Sequence, residues 1–261
     1  MARRFSRKAS RAAAWSSRLI RFVAVVVLIT ALGRQFDLID TPSALALVAL
    51  CWLGATISLL LGASALRSIW RLGMSGTRQA LTGVVVSVPM LAVPIYCVFL
   101  VVEHPNLSDV TTDTRNPPAL KAAAALRPAG ANPIAYPGAA AAQIQLAAYP
   151  ELRSLRVGVG VEEAFDAVHA VVDDRGWRVV AERPPSDNDP SGLIEAVART
   201  LLIGFEDDIA IRVLQDIGGA RVDIRSASRY GSHDLGTNAR RIQAFLFALR
   251  EEISPTAGGE R

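Results

Sequence analysis

Three long apolar segments in the first hundred residues limit what this chain can fold into. They run over Leu19–Gly33, Ser43–Leu66 and Leu81–Val102. A bilayer core about 30 Å thick is crossed by about 20 apolar residues in a helix, and the second and third segments meet that length. The first segment meets it when Arg18 and Arg21 extend their guanidinium groups back to the membrane interface. The sequence therefore predicts three transmembrane helices, in keeping with a mean hydropathy of +0.30.

The distribution of positive charge predicts how these helices are oriented. The residues before and at the start of the first segment include Arg3, Arg4, Arg7, Lys8, Arg11, Arg18 and Arg21. The loop between the second and third segments carries Arg67, Arg71 and Arg78, whereas the loop between the first and second has Arg34 with Asp37 and Asp40. An excess of Lys and Arg marks the cytoplasmic side of a membrane. We therefore expect a cytoplasmic N-terminus and, after three crossings, everything beyond residue 102 on the opposite side.

The net charge of +4 combines two regions of opposite sign. Residues 1–102 carry a net charge of +9, and residues 103–261 carry a net charge of −5. Basic residues beside apolar helices favour anionic lipid, so the membrane bilayer is an expected partner. The acidic remainder argues against nucleic acid as a partner, because a domain that binds nucleic acid presents a basic surface.

Both cysteines, Cys51 and Cys97, lie in apolar segments, so we expect no disulfide in the exported part.

Composition divides the chain into four parts. Residues 1–102 form a three-span anchor with basic cytoplasmic arms. Residues 103–150 are rich in Ala and Pro, and the prolines exclude long regular elements. We expect this segment to be a tether that packs partly on the domain after it. Residues 151–254 suffice for one globular core, and residues 255–261 are expected to be a disordered tail.

The globular part has the pattern of an α+β domain. The predicted order is a helix over 161–176, strands over 177–183 and 192–205, a hairpin over 207–228 and a helix over 237–253. Apolar residues recur at helical spacing at Val161, Phe165, Val168 and Val172, and at Ile242, Phe245, Leu246, Leu249 and Ile253. In the strand after residue 192, Ile194, Ala196 and Ala198 share one face. This order predicts a two-layer sandwich in which both helices cover one face of an antiparallel sheet.

The hairpin raises an electrostatic question. We expect its turn at Gly218–Gly219, and that register sets Arg212 opposite Arg225, with Asp223 alongside. Like charges directly opposite each other destabilise a strand pair. We therefore expect either neighbouring carboxylates or a bound anion to offset this repulsion.

The stretch RSASRYGSHDLGTNARRI, Arg225–Ile242, carries four of the chain's arginines. Two of them, Arg240 and Arg241, fall in the first turn of the last predicted helix, where the helix dipole disfavours cations, and Asp234 or Thr237 can cap that turn. The candidate site comprises Arg212, Arg225, Arg229, Arg240, Arg241, Asp207, Asp208 and Asp234. An internal network of bidentate ion pairs is the favoured interpretation. The alternative is a binding site for an external carboxylate, phosphate or lipid headgroup.

Patterns for catalysis and metal binding are weak. One alternative is an envelope hydrolase that uses Ser228 or Ser232 with His233. The sequence has no G-x-S-x-G elbow, and a triad is defined by spatial geometry. The histidines, His104, His169 and His233, are scattered, so we expect no metal and no cofactor. We therefore expect a non-enzymatic domain. The hydrolase, and a carrier that holds an apolar ligand between sheet and helices, remain the alternatives.

Four segments of the chain resemble the family known as domain of unknown function 1499. They are TTDTRNPP at 111–118, AYPEL at 148–152, FEDDIAIRV at 205–213 and the closing stretch at 225–242. The resemblance spans about residues 108–252 and leaves the anchor outside. It implies a bacterial exported or membrane-tethered domain without established activity or catalytic residues, and it implies that Thr112-Asp113 and Pro117-Pro118 belong to the folded domain.

Anchor and resemblance together define the leading hypothesis. We expect a multi-pass protein of the bacterial inner membrane with a cytoplasmic N-terminus and a periplasmic C-terminal domain. That domain would bind an envelope protein or an anionic ligand.

Overall fold

The computed structural model describes residues 8–200 and 204–254. The chain divides into two compact units. Among the described residues, the first comprises 8–99 with Gly204, and the second comprises 100–200 with 205–254. The expected disordered tail, the end of the predicted strand at 201–203 and the basic residues Arg3, Arg4 and Arg7 lie outside the described residues.

The described residues form seven helices and six strands. The helices are α1 Arg11–Gln35, α2 Thr41–Leu72, α3 Thr77–Glu103, α4 Ala122–Leu126, α5 Ala139–Ala148, α6 Val161–Asp174 and α7 Thr237–Ile253. The strands are β1 Asp109–Thr111, β2 Leu155–Val157, β3 Arg178–Arg183, β4 Gly192–Arg199, β5 Glu206–Asp216 and β6 Gly219–Ser228.

The first three helices contain the three apolar segments. They have 25, 32 and 27 residues and are long and apolar enough to cross a membrane. Small residues let them approach closely. Ser16 donates its hydroxyl to the carbonyl oxygen of Ser58 at 2.8 Å, and Ser58 donates to that of Ser16 at 3.1 Å. A Cβ on Gly83 would lie 1.7 Å from Oγ of Ser16. Such contacts between small residues are typical of helices that associate in a bilayer.

The second unit is built on one antiparallel sheet. Its strands lie in the order β1-β6-β5-β4-β3, and β2 also pairs with β6. Asp109 of β1 is opposite Ala227, whereas Leu155 of β2 is opposite Val222. The two short strands therefore share one edge of β6, one at each end. Helices combined with an antiparallel sheet confirm the mixed α+β class.

The main core is formed by residues of the sheet and of helices α6 and α7. The predicted apolar faces are confirmed, since Val161, Phe165, Val168, Val172, Ile242, Phe245, Leu246 and Leu249 are buried there. Alternate residues of the three central strands join them, and these are Ile194, Ala196, Ala198, Ile209, Ile211, Val213, Ala220, Val222 and Ile224. Burial of these side chains supplies the main hydrophobic stabilisation of the unit.

The predicted register of the β5–β6 hairpin is wrong by two residues. Asp216 is opposite Gly219, so the turn residues are Ile217 and Gly218. Gly218 has a φ of 79°, which suits a glycine. Arg212 consequently lies opposite Asp223 rather than Arg225, so the expected like-charge repulsion is replaced by an attractive cross-strand pair. A two-residue slip keeps each side chain on its face, which is why the apolar pattern could not detect it.

The Ala/Pro-rich segment contributes short elements to the second unit. Gln145 of α5 is buried, accepts from the amide of Thr111 at 3.0 Å and donates to the carbonyl of Thr111 at 2.7 Å. Glu195 of β4 is buried and accepts from the amides of Lys121 and Ala123, each at 3.0 Å, at the start of α4. These contacts satisfy backbone groups that the short elements leave unpaired.

Candidate functional site

The sheet positions the predicted charged residues by alternation along β5 and β6. Ile209 and Ile211 of β5 enter the core with α6 and α7. The neighbouring positions Asp208 and Arg212, and Asp223 and Arg225 on β6, point to the other face. Buried charges require paired partners, so this face is defined by its ion pairs.

Asp208 is the most connected carboxylate of this face. Its side chain is 0% exposed. One carboxylate oxygen accepts from Nε of Arg127 at 2.6 Å, and the other accepts from Nε and Nη2 of Arg229 at 2.9 and 2.7 Å. Arg229 also donates to Glu206, which lies 3.7 Å from Arg178. Two buried guanidinium groups thus share one buried aspartate.

Arg225 is fully engaged by the segment that packs on this face. It forms a bidentate pair with Asp109 of β1, with Nε and Nη2 at 3.0 and 2.6 Å from the two carboxylate oxygens. It also donates to the carbonyls of Pro118 and Ile134 at 3.2 and 2.7 Å. Its guanidinium carbon lies 5.7 Å from the ring centre of Tyr136. The bidentate fork fixes β1 in position on β6.

Burial shifts the pKa of both Tyr136 and Asp109. Burial raises the pKa of Tyr136 to about 12, and the charge of Asp109 acts in the same direction. Burial also raises the pKa of Asp109, although its hydrogen bond from Arg225 opposes that shift. The hydroxyl of Tyr136 and Nη2 of Arg127 are buried, and neither atom has a hydrogen-bond partner among the described residues.

A second group of charges centres on Asp223. One of its oxygens accepts from Nε and Nη2 of Arg212 at 3.2 and 2.7 Å and from Arg221 at 3.2 Å. The other accepts from the hydroxyl of Ser154 at 2.5 Å. Asp113 adds a carboxylate 3.3 Å from Arg212. The two arginines are thereby neutralised by acids from β6 and from the segment after β1.

Arg241 and Asp207 meet at the start of α7. Arg241 pairs with Asp207 and donates to Oγ of Ser226 at 2.8 Å and to Oδ1 of Asn238 at 2.7 Å. Asn238 is buried and donates to Oγ of Ser228 at 3.0 Å. Asp207 offsets the unfavourable position of a cation near a helix N-terminus.

Asp234 caps α7, as one of the two predicted capping residues. Its carboxylate accepts from the amides of Gly236 and Asn238 at 2.9 and 2.8 Å. Burial raises the pKa of Asp234, and the two amides partly oppose that shift. Arg240 is exposed and contacts the carbonyl of Leu235 at 3.0 Å and the ring of His104 at 3.3 Å.

The structure therefore distributes the eight predicted residues over several contacts rather than one pocket. Arg229 joins Asp208, and Arg241 joins Asp207, whereas Arg212 and Arg225 pair with acids outside the predicted set. Asp234 caps a helix, and Arg240 lies at the surface. Every one of these arginines except Arg240 forms an ion pair with a carboxylate in the described part of the chain.

Sequence reasoning missed the partners that come from the Ala/Pro-rich segment. Asp109, Asp113 and Arg127 lie about 80 to 120 positions before their partners in the sequence, so no local periodicity links them. The available signal was their charge, because charged residues are few in this Ala- and Pro-rich stretch. Ser154 and Asn238 carried no comparable signal.

The proposed hydrolytic pair is not assembled. His233 accepts at Nδ1 from the amide of Leu235 at 2.9 Å, so Nε2 carries the proton that it donates to the carbonyl of His104 at 3.1 Å. Neither nitrogen contacts Ser228 or Ser232 among the described residues. Within residues 8–200 and 204–254, no group of three or more His, Cys, Asp or Glu side chains is arranged to hold a metal ion.

The second unit is thus an α+β domain whose closing stretch forms a network of buried ion pairs. The model of a family described as protein of unknown function (DUF1499) matches residues 109–249. The chain belongs to this family, as the resemblance predicted. No curated protein matches the chain.

Proposed function

We propose that this chain is a membrane-anchored, non-catalytic binding or assembly module of the bacterial cell envelope, with its C-terminal domain in the periplasm. The observation that carries the proposal is a set of three long apolar helices that leads directly into a domain whose arginines are largely neutralised from within. The side chains of Phe22, Leu60 and Val85 are each more than half exposed on these helices. Apolar surface of this extent suits lipid and not water.

The charge distribution supports the orientation. The second loop carries Arg67, Arg71 and Arg78, and the first loop combines Arg34 with two aspartates. The positive-inside rule then assigns the second loop to the cytoplasm and the domain to the other side. In this proposal the helices cross the inner membrane, and α6 and α7 cover one face of the sheet as one layer of a two-layer sandwich.

Accessibility of single cysteines tests the orientation. In a Cys51→Ala, Cys97→Ala background, Ile217→Cys places a thiol at the hairpin tip and Leu72→Cys places one at the end of α2, and both positions are exposed. A membrane-impermeant maleimide added to spheroplasts should label Ile217→Cys, and it should label Leu72→Cys only after lysis. The reverse pattern would exclude a periplasmic domain.

A serine-reactive phosphonate probe tests the hydrolase alternative. Ser228 is held by Asn238, and His233 is held by two backbone groups, so we expect no covalent labelling of the full chain. Labelling that disappears in Ser228→Ala or Ser232→Ala, and in His233→Ala, would establish a reactive serine.

The space that an apolar-ligand carrier would need between sheet and helices is occupied by Ile209, Ile211 and Phe245, each fully buried.

A further inference from the structure

The outer surface of α7 forms a groove that is distinct from the ion-pair network. Arg240, Ala244, Phe247 and Arg250 follow each other at intervals of three or four residues and are exposed, so they share one helix face. Leu152 and Arg175 complete the wall of a groove of about 760 Å³. Phe247 is among the residues that line it, and its side chain is 65% exposed. This helix face therefore combines an exposed aromatic side chain with an arginine at each end.

The groove is positively charged although the domain is acidic. Within the described residues, Arg240, Arg250 and Arg175 form no ion pair. Arg175 donates through Nη2 to the carbonyl of Ala244 at 2.6 Å, and its Nε is buried without a partner. The carboxylate among the lining residues is Glu151, which accepts a hydrogen bond from Gln243 at 2.6 Å. Asp174 also acts on Arg175. Three cations near these two acids leave an excess of positive charge, which favours an anionic ligand.

One end of this groove, at Arg240, lies beside His104, which belongs to the same unit. His104 is the residue directly after α3. Its Nε2 lies 3.3 Å from Arg240, and its Nδ1 lies 3.2 Å from the hydroxyl of Tyr149. If α3 crosses the bilayer as proposed above, His104 leaves the membrane at its outer surface. Arg240 is then within reach of lipid headgroups.

We propose that the groove binds an anionic phospholipid of the membrane in which α1–α3 are anchored. Arg240 contacts the phosphate group, and Arg250, at the other end of the helix face, adds positive charge that favours an anionic lipid. Phe247, which is largely exposed, contacts the apolar part of the lipid. A lipid fits better than a partner protein because the groove combines an exposed apolar side chain with cationic ends beside the predicted membrane interface. This inference rests on the proposed periplasmic orientation.

The test uses the full chain in nanodiscs. In the Cys51→Ala, Cys97→Ala background, Ala244→Cys carries an environment-sensitive fluorophore in the groove, and Ile217→Cys carries it at the hairpin tip as the control. The discs contain phosphatidylcholine alone or phosphatidylcholine with phosphatidylglycerol, each with brominated acyl chains as quencher. We expect quenching and a blue shift at position 244 in the anionic discs, little change in the zwitterionic discs and none at position 217.

Removing arginines inside and outside the groove shows whether the positive charge of the groove contributes to lipid binding. In detergent, short-chain phosphatidylglycerol titrated into the protein labelled at position 244 should bind roughly 30-fold more weakly to the Arg240→Gln, Arg250→Gln variant, since each arginine contributes to binding of an anionic lipid. The Arg115→Gln, Arg156→Gln variant removes two exposed arginines outside the groove and should bind as the parent does. Equal melting temperatures of the two variants exclude a folding defect.

Three results would overturn the inference. They are absence of quenching at position 244, equal quenching in both lipids, and equal weakening in the two double variants. If a thiol at position 244 is shielded from labelling in native membranes but is labelled in nanodiscs, a partner protein covers the groove. That result would also overturn the inference. The cysteine-labelling experiment on positions 217 and 72 tests the orientation separately, so loss of this inference leaves the proposed function standing.

Discussion

At the scale of single residues, Asp208 shows how ion pairs compensate a buried charge in this domain. Its carboxylate is fully buried and is shared by Arg127 and Arg229, whose side chains are 7% and 4% exposed. Replacing a whole buried pair by apolar residues can be neutral, but removal of one partner leaves an uncompensated charge. The arrangement therefore stabilises the fold only while all three side chains are present.

Asp208→Asn is expected to destabilise the domain strongly. The substitution preserves shape but leaves two buried guanidinium groups without their shared countercharge, a loss of about 3–5 kcal/mol. Thermal melting of the full chain in detergent measures the effect. The matched control, Asp187→Asn, changes an exposed aspartate and should shift stability by less than about 0.5 kcal/mol. Similar melting temperatures for the two variants would contradict a stabilising role of the network.

Asp234 is expected to make stability depend on pH. Its pKa is raised, mainly by burial, so the folded state holds the proton more tightly than the unfolded state does. The contribution to stability is therefore full below the unfolded pKa of about 3.9 and is lost as the pH rises through the higher folded pKa.

The Asp234→Asn variant removes this titration. Its melting temperature relative to the parent should therefore increase between about pH 3 and about pH 7. The exposed control Glu251→Gln should show a constant difference over the same range. A relative melting temperature of Asp234→Asn that falls with rising pH would contradict the raised pKa.

At the scale of elements, the edge of β6 depends on a close backbone approach. Gly219 begins β6 with a φ of 153°, and a Cβ at this position would lie 2.1 Å from the carbonyl oxygen of Val157. β2 can therefore pair with the start of β6 only because the hairpin has glycine there.

Gly219→Ala is expected to weaken the pairing of β2 with β6. The clash with a backbone atom and the unfavourable φ should cost about 2 kcal/mol or more. Gly158→Ala, in the neighbouring loop, meets nothing within 4 Å and should change stability by less than about 0.5 kcal/mol. Hydrogen exchange should show faster exchange at residues 155–157 in Gly219→Ala only. Unchanged exchange there would refute the role of this glycine.

At the scale of the whole molecule, the Ala/Pro-rich segment belongs physically to the second unit, which begins at residue 100. It supplies β1, α4 and α5, the carboxylate of Asp109 and the guanidinium of Arg127. The boundary at residue 151 that composition predicts would remove these partners from Arg225 and Asp208. Each lost partner of a buried pair costs about 3–5 kcal/mol, against a total stability of about 5–15 kcal/mol for a domain.

Two fragments test this boundary. A fragment of residues 104–254 should melt in one cooperative transition, because its core and its ion pairs are complete. A fragment of residues 151–254 should lack that transition, as measured by calorimetry and near-ultraviolet circular dichroism. If the shorter fragment melts as cooperatively and at a similar temperature, the boundary at residue 151 is the correct one and the segment before it is a tether.

Sequence alone determined the features that depend on neighbours along the chain. The three long helices follow from apolar length, and the buried faces of α6, α7 and β4 follow from apolar spacing such as Val161, Phe165 and Val168. The family was recognisable for a related reason, because its closing stretch is one continuous run of residues.

Only the tertiary structure decided the hairpin register and the partners of the arginines. A slip of two residues leaves the apolar faces of β5 and β6 unchanged, so periodicity carries no information about whether Arg212 meets Arg225 or Asp223. The pairing of Arg225 with Asp109 joins residues 116 positions apart. Such a contact depends on how the sheet is assembled, because charge attraction has no sequence period and acts between whichever groups the fold brings together.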